Sequence, residues 1–245
     1  MTVDQLILDY AEKQRPREMC GFVVFRGQEK IFIPCENISA DPENYFEISA
    51  SDYLMAHEYE GIIALVHSHP NGEPILSAAD RQMQIQSDLD WWLVCNGEIK
   101  YFKNRPSLLG RGFIHGAQDC YTLFCDAYML AGLDLPEFDY TEEWYKQGEN
   151  YYLEQLPKHG FSIIDNSPRL GDVILMQVDS PVPNHVGIYL GDQQVLHHSP
   201  QRLSKRDFYD GYWFKHTHSI WRYNEWSQLN FTAILNDLAA SLHST

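Results

Sequence analysis

The stretch Gly61-Ile62-Ile63-Ala64-Leu65-Val66-His67-Ser68-His69-Pro70 decides how the N-terminal half of this chain is read. Gly61 to Val66 is a continuous apolar run of the kind found in a strand covered on both faces. Residues two apart on a strand project to the same side, so His67 and His69 can converge where the strand ends. Pro70 has no N–H to offer a ladder and stops it. After seven intervening residues from His69, Ser77-Ala78-Ala79-Asp80 opens a predicted helix that runs to about Ser87, with Asp80 in its first turn. Two imidazoles and a carboxylate suit one zinc ion, and three protein ligands plus water is the arrangement of a catalytic zinc. Ser77-x-x-Asp80 also has the form of a capping box, which needs no metal, and the two uses are compatible.

Upstream, Glu18-Met19-Cys20-Gly21 precedes the apolar run Phe22-Val23-Val24-Phe25. A glutamate, then His-Ser-His, seven residues that begin with Pro70, and Ser-x-x-Asp resembles the motif of the JAMM (MPN-type) zinc metallopeptidases. The resemblance implies Zn2+ as cofactor, held by His67, His69 and Asp80. It assigns Glu18 the part of general base and Ser77 a share in stabilising the oxyanion. It further implies an α/β/α domain on a mixed sheet and hydrolysis of an amide or isopeptide bond. A Lewis acid, a carboxylate that moves a proton and a hydroxyl donor are the parts such hydrolysis needs.

The 245 residues exceed what one average domain requires, and 44% hydrophobic content with 13% aromatics supports sizeable cores. The apolar runs are far short of the roughly 20 residues that span a bilayer. Residues 1–15 mix Asp4, Asp9, Glu12, Lys13 and Arg15 with Leu6, Ile7 and Tyr10, an amphipathic helix rather than a signal peptide. Five cysteines without regular spacing make no disulfide framework and point to a reducing cytoplasm. Eighteen basic against 34 acidic residues leave a net charge of −16, which disfavours nucleic acid as a partner.

A boundary is expected in the segment from Lys103 to Gly112, after a closing hairpin of Trp91–Cys95 and Ile99–Phe102 around Asn96-Gly97. Beyond it, Asp119 is a plausible N-cap for a helix carrying Leu123, Phe124, Ala127, Tyr128, Leu130 and Ala131, ended by Gly132. That leaves Cys120 in the first turn, where the positive end of the helix dipole favours thiolate. Three strands follow: one entered at Leu170-Gly171-Asp172, one over Asn184–Leu190, and one over Val195–Ser199, the last two joined by Gly191-Asp192-Gln193-Gln194. The hairpin can bring His185 and His197 onto neighbouring strands. Cysteine beside histidine, with a third polar group orienting that histidine, is the arrangement for a thiolate nucleophile.

This order resembles the NlpC family of papain-like cysteine peptidases, known chiefly as peptidoglycan endopeptidases. The match implies Cys120 as nucleophile, His185 as general base and His197 as the orienting residue, on a helix packed against an antiparallel sheet. His198 is the neighbouring alternative, turned to the opposite face by strand alternation. The chain departs from the family in having Asp119-Cys120-Tyr121-Thr122 where Asp-Cys-Ser-Gly is frequent. Phe113 and His115 stand upstream of Cys120 where many cell-wall members use a tyrosine.

The expected fold is therefore α+β in two domains, with residues 1–105 JAMM-type, 110–225 NlpC-type, and 226–245 a helical tail. Residues 142–156 are expected to form an aromatic-rich helix used mainly for packing. Residues 208–213 read as a loop, 219–223 as a last strand, and 231–242 as a helix. A JAMM half followed by an NlpC-like half resembles the tail-tip assembly proteins of lambda-like bacteriophages. That implies other tail-tip proteins as partners, bacterial peptidoglycan as substrate, and a place in the host cytoplasm during assembly or in the virion tail tip. Hydrolysis of murein peptide bonds and trimming of a tail protein are the enzymatic readings; an interaction module with silent sites is the other.

Overall fold

The structure is a computed structural model describing residues 1–136, 140–141 and 144–241. The chain separates into two units, Met1–Arg105 and Pro106–Thr245. In both, mixed helices and sheets give the α+β class; no described helix is long and apolar enough to cross a membrane.

The first unit begins with α1 (Val3–Gln14), capped by the Thr2 hydroxyl. It continues through β1 (Cys20–Arg26), β2 (Glu29–Cys35), α2 (Ala50–His57), β3 (Ile62–Ser68), α3 (Ala78–Ser87), β4 (Asp90–Cys95) and β5 (Glu98–Phe102). The sheet order is β2-β1-β3-β4-β5, with β3 and β4 parallel and the other neighbours antiparallel. A parallel pair needs a crossover, and the segment containing α3 supplies it. Strand alternation sorts the two faces. Val23, Val66 and Val94 meet Ile7 and Ala11 of α1. Phe22 and Trp91 lie on the other face, against Tyr53 and Phe46. The turn between β4 and β5 places Asn96 and Gly97 at φ 52° and 78°, the left-handed pair that a two-residue hairpin requires.

The second unit holds α4 (Cys120–Leu130), a short 3-10 turn at Trp144–Gln147, α5 (Tyr151–Lys158), β6 (Phe161–Ile163), β7 (Val173–Met176), β8 (His185–Gly191), β9 (Gln194–His197), β10 (Lys205–Phe208), α6 (Gly211–Lys215), β11 (Thr217–Tyr223) and α7 (Thr232–Ser241). Its sheet is wholly antiparallel, in the order β10-β9-β8-β7-β11-β6. α4 packs on β8 and β9; its Leu123, Phe124, Ala127 and Tyr128 are all buried, the Phe124 and Tyr128 rings lying against Phe161 of β6. The C-terminal segment belongs to this core. Phe231 lies against the turn at Gly171, where φ is +90° and a Cβ would fall 2.4 Å from the Phe231 ring. Asp237 accepts the Leu108 N–H at 2.8 Å.

Two expectations are corrected here. The single helix over 142–156 is broken at Gly148, at φ 78°, into the 3-10 turn and α5; its first residues, 142 and 143, lie outside the described residues. The expected loop over 208–213 instead opens α6, and β10 precedes it. Leu242, the expected end of the last helix, also lies outside the described residues.

Candidate active sites

In the first unit, His67 sits near the end of β3 on the face away from α1 and is fully buried. Phe46 lies against its ring at 4.8 Å, and Trp91 meets it nearly edge-on at 5.2 Å. His67 Nδ1 has no hydrogen-bond partner among the described residues, so these two rings orient it by packing. His69 follows the strand end, where its N–H still reaches the Val94 carbonyl. Its Nδ1 lies 2.9 Å from the Glu73 carbonyl oxygen, which can only accept. The His69 proton is therefore held on Nδ1, leaving the Nε2 lone pair for a ligand.

The two Nε2 atoms are 3.2 Å apart. Asp80 Oδ1 is 3.6 Å from His67 Nε2, and Oδ2 is 3.3 Å from His69 Nε2. A tetrahedral zinc with bonds of about 2.0–2.1 Å has ligand–ligand edges of about 3.3 Å, so the donor set fits that ion. Burial alone would raise the Asp80 carboxyl pKa, but the two imidazoles and the Ser77 N–H hold it well below the usual range. Burial pushes His67 down. Asp80 is thereby held as the carboxylate and His67 as the neutral imidazole, the forms that bind a cation.

Glu18 is brought here by the strand pairing. Met19 N donates to Ser68 Oγ at 2.8 Å and Ser68 N to Met19 O at 3.1 Å, which sets Glu18 beside the end of β3. Its Oε1 is 4.0 Å from His69 Nε2. Burial pushes its carboxyl up to about 7, with His69 opposing and Asp80 adding. Ser77 caps α3: its Oγ accepts the Asp80 N–H at 3.1 Å, while its own N–H donates to Asp80 Oδ2 at 2.8 Å. Glu18, His69, Ser77 and Asp80 together line a cavity of about 540 Å³.

In the second unit, Asp119 caps α4. Its Oδ1 accepts the N–H groups of Tyr121 and Thr122 at 3.0 and 3.1 Å. Cys120 opens the helix, and its Sγ lies 3.4 Å from the Tyr152 hydroxyl. Burial opposes the helix dipole at this thiol. Burial pushes the thiol up to about 11 and the adjacent Asp119 carboxylate adds to it, outweighing the Tyr152 hydroxyl and the Val186 N–H. His185, at the start of β8, is likewise pushed down to about 3 by burial and by His197. Thiol and imidazole both rest neutral.

The histidines form a chain across neighbouring strands. Gly187 pairs with His197, and His197 with Lys205, so His185, His197 and Asp207 lie on successive diagonals of one face. His185 Nε2 is 3.1 Å from His197 Nδ1, and His197 Nε2 is 3.1 Å from Asp207 Oδ2. Asp207 also accepts from Lys205 Nζ at 2.8 Å and Trp213 Nε1 at 3.2 Å. Burial would raise its carboxyl, but Lys205, His197 and Trp213 hold it below the ordinary value. An ionised carboxylate only accepts, so His197 carries its proton on Nε2 and accepts at Nδ1. His185 must then donate from Nε2, which leaves its Nδ1 as the basic atom. Ser199 Oγ, 3.2 Å from the same His197 Nδ1, can donate there as well. The Trp213 ring stacks on His185 at 5.5 Å.

Cys120, His185, Tyr140, Trp144, Tyr152 and Trp213 line one cavity of about 360 Å³, with Phe113 and His115 also in its wall. His198 turns away: it faces the Arg202 carbonyl at 3.2 Å and packs on Phe113. Four contributors escaped the sequence. Tyr152 on α5 sets its hydroxyl beside Cys120 Sγ, and Tyr140 donates to Asp119. Trp213 comes from the segment read as loop, and Asp207 lies just before it. Lys205-Arg206-Asp207-Phe208 carries no apolar alternation that would mark a strand, and nothing local marks Tyr152.

Two family models match the chain: prokaryotic homologs of the JAB domain over residues 2–104, and the NlpC/P60 family over residues 109–222. Tail tip assembly protein K of Escherichia phage lambda is 49% identical over 195 residues, which is 79% of this chain and 98% of that protein. Tail tip assembly protein K of Escherichia phage N15 is 32% identical over 231 residues, 91% of this chain and 95% of that protein. A solved NlpC/P60 family protein from Bacillus cereus ATCC 10987 aligns with 88% of this chain and 66% of its own, at 13% identity and a TM-score of 0.38.

Proposed function

This chain belongs to the family of tail tip assembly protein K, and we propose that it brings two hydrolase centres to the building of a bacteriophage tail tip. In this reading residues 1–105 are the metallopeptidase domain, 110–225 the cysteine peptidase domain, and 226–245 a C-terminal tail. The observation that carries the reading is the chain His185–His197–Asp207, which leaves a basic nitrogen on the imidazole sharing a cavity with the Cys120 thiol.

In the cysteine centre, His185 Nδ1 takes the thiol proton as Sγ attacks an amide carbonyl carbon. The Cys120 N–H at the start of α4 and the Tyr152 hydroxyl would donate to the developing oxyanion. The imidazolium returns the proton to the leaving amine, and a thioester remains on Cys120. Water, deprotonated by the same imidazole, then releases the acid and restores the thiol. His197 and Asp207 keep the imidazole in the tautomer that can do this. Peptide bonds of bacterial peptidoglycan, opened during infection, are the proposed substrate.

In the metal centre, His67, His69 and Asp80 would hold zinc, which when bound supplies Lewis acidity at neutral pH. Glu18 accepts a proton from the attacking water and delivers it to the leaving amine. Ser77 offers a hydroxyl toward the oxyanion. A tail protein met during assembly in the host cytoplasm is the proposed substrate, and other tail-tip proteins are the proposed partners.

A scaffold role with a silent cysteine centre is the second reading. The thiol pushed up to about 11 favours it, because little thiolate stands ready at neutral pH. Digestion of purified sacculi decides between them. Soluble muropeptides released by the wild type but not by Cys120→Ala support the peptidase; equal yields from both remove Cys120 from the chemistry.

A further inference from the structure

The cavity beside the metal ligands is larger and more apolar than the hydrolytic residues require. Besides Glu18, His69 and Asp80, it is lined by Tyr45, Phe46, Ile48, Tyr53, Met83 and Trp91. Met83 and Tyr45 leave 53% and 62% of their surface exposed. Large apolar groups gathered at the mouth of a cavity mark a binding surface more than a packing one. No Lys or Arg belongs to this wall among the described residues, whereas Glu18, Glu47 and Asp80 all do.

The wall is also preformed. Residues 36–49 have no regular structure, and Asn37, buried beneath them, organises the segment. Its Nδ2 donates to the carbonyls of Glu18 and Tyr45, each at 2.9 Å, and its Oδ1 accepts the N–H groups of Ser39 and Glu47 at 3.0 and 3.1 Å. The same side chain thus ties the apolar wall to the backbone of Glu18. A surface held rigid before binding loses less entropy when a ligand arrives.

We propose that this centre selects its peptide by a bulky apolar side chain next to the scissile bond, seated between Phe46, Tyr53, Met83 and Trp91. The inference rests on the metal-centre reading above and names its substrate class. Carboxylates around the cavity disfavour an acidic residue at that position, and the size of the cavity leaves a glycine without contacts.

The test uses the full chain and two dye-labelled decapeptides of Gly, Ser and Ala, one with a central Phe and one with a central Asp. In metal-free protein, fluorescence anisotropy is expected to show the Phe peptide bound at least about tenfold more tightly, the order expected from burying one such side chain. Met83→Glu should abolish most of that preference and Met83→Leu should keep it, with circular dichroism checking that both fold. Equal binding of the two peptides, or a preference unchanged in Met83→Glu, overturns the proposal. Zinc-loaded protein separates it from the reading beneath it. A Phe peptide preferred in binding but never cut removes the hydrolase and leaves the pocket; equal cutting of Phe and Asp peptides removes the pocket and leaves the hydrolase.

Discussion

His185 and His197 stand with their rings perpendicular, Nε2 of the first 3.1 Å from Nδ1 of the second. One nitrogen on each ring is thereby committed, and the proton between them can lie either way. Asp207 decides which. By accepting from His197 Nε2 it makes His197 an acceptor toward His185, and so keeps the lone pair of His185 on Nδ1.

Asp207→Asn should therefore harm more than Asp207→Ala. The amide can donate to His197 Nε2, which reverses both tautomers and places a proton on His185 Nδ1. The kcat/KM for muropeptide release is expected to fall at least about a hundredfold for Asn, as when a histidine is held in the wrong tautomer. Alanine, which leaves His197 free to choose, should fall less. Nitrogen chemical shifts of His197 would show the reversal directly, a readout that a merely structural loss would not move.

Alkylation of Cys120 tests its resting state. With the thiol pushed up to about 11 and His185 down to about 3, the pair is neutral between those values. The iodoacetamide rate at Cys120, read by peptide mass, should climb with pH through 9 and 10 and show no plateau between pH 4 and 8. A plateau there would mean a thiolate–imidazolium pair. Tyr152→Phe removes a hydroxyl that favours thiolate, so the rate at pH 9 should drop several-fold while the buried ring keeps its packing.

Acid should loosen the second unit. His185 has a folded-state pKa below its unfolded value of about 6.5. The unfolded chain therefore binds the extra proton first, and stability falls as pH drops from about 6.5 toward 3. Urea midpoints of residues 106–245, followed by near-ultraviolet signal in the full chain, should decline across that window. His185→Gln should flatten the decline.

Zinc should bind at about one ion per chain and raise the unfolding temperature of the first unit, since a ligand that prefers the folded state stabilises it. His69→Ala should lose the ion and the increment together. Binding that survives this substitution would place the metal elsewhere.

Asn37→Ala should destabilise the first unit by about 2–4 kcal/mol, because it strands several buried carbonyl and N–H groups at once. Glu18 would lose one of its backbone anchors in the same step. Weaker peptide binding should accompany the lower denaturation midpoint.

The chemistry-bearing residues were legible where they sit at boundaries of elements. His67 and His69 straddle the end of β3, Ser77 and Asp80 open α3, Cys120 opens α4 and His185 opens β8. Such positions have local signatures in capping residues, apolar runs and turn glycines. Asp207, Tyr152 and Phe46 had none, because their roles come from contacts across strands or from a loop folded over a ring. The break at Gly148 was hidden for a related reason: the apolar spacing of Trp144, Tyr151 and Tyr152 fits one helix as well as two pieces.

Asp80 has two employments at once. Its carboxylate closes the capping box of α3 through the Ser77 N–H and also faces both imidazoles. Drift that silenced the centre would encounter unequal resistance at these positions. An imidazole could be exchanged for any side chain of similar bulk, whereas the aspartate would still be retained to start a helix. Among descendants of such a protein, the paired histidines are the record of a working catalyst, and the aspartate is only the record of the architecture.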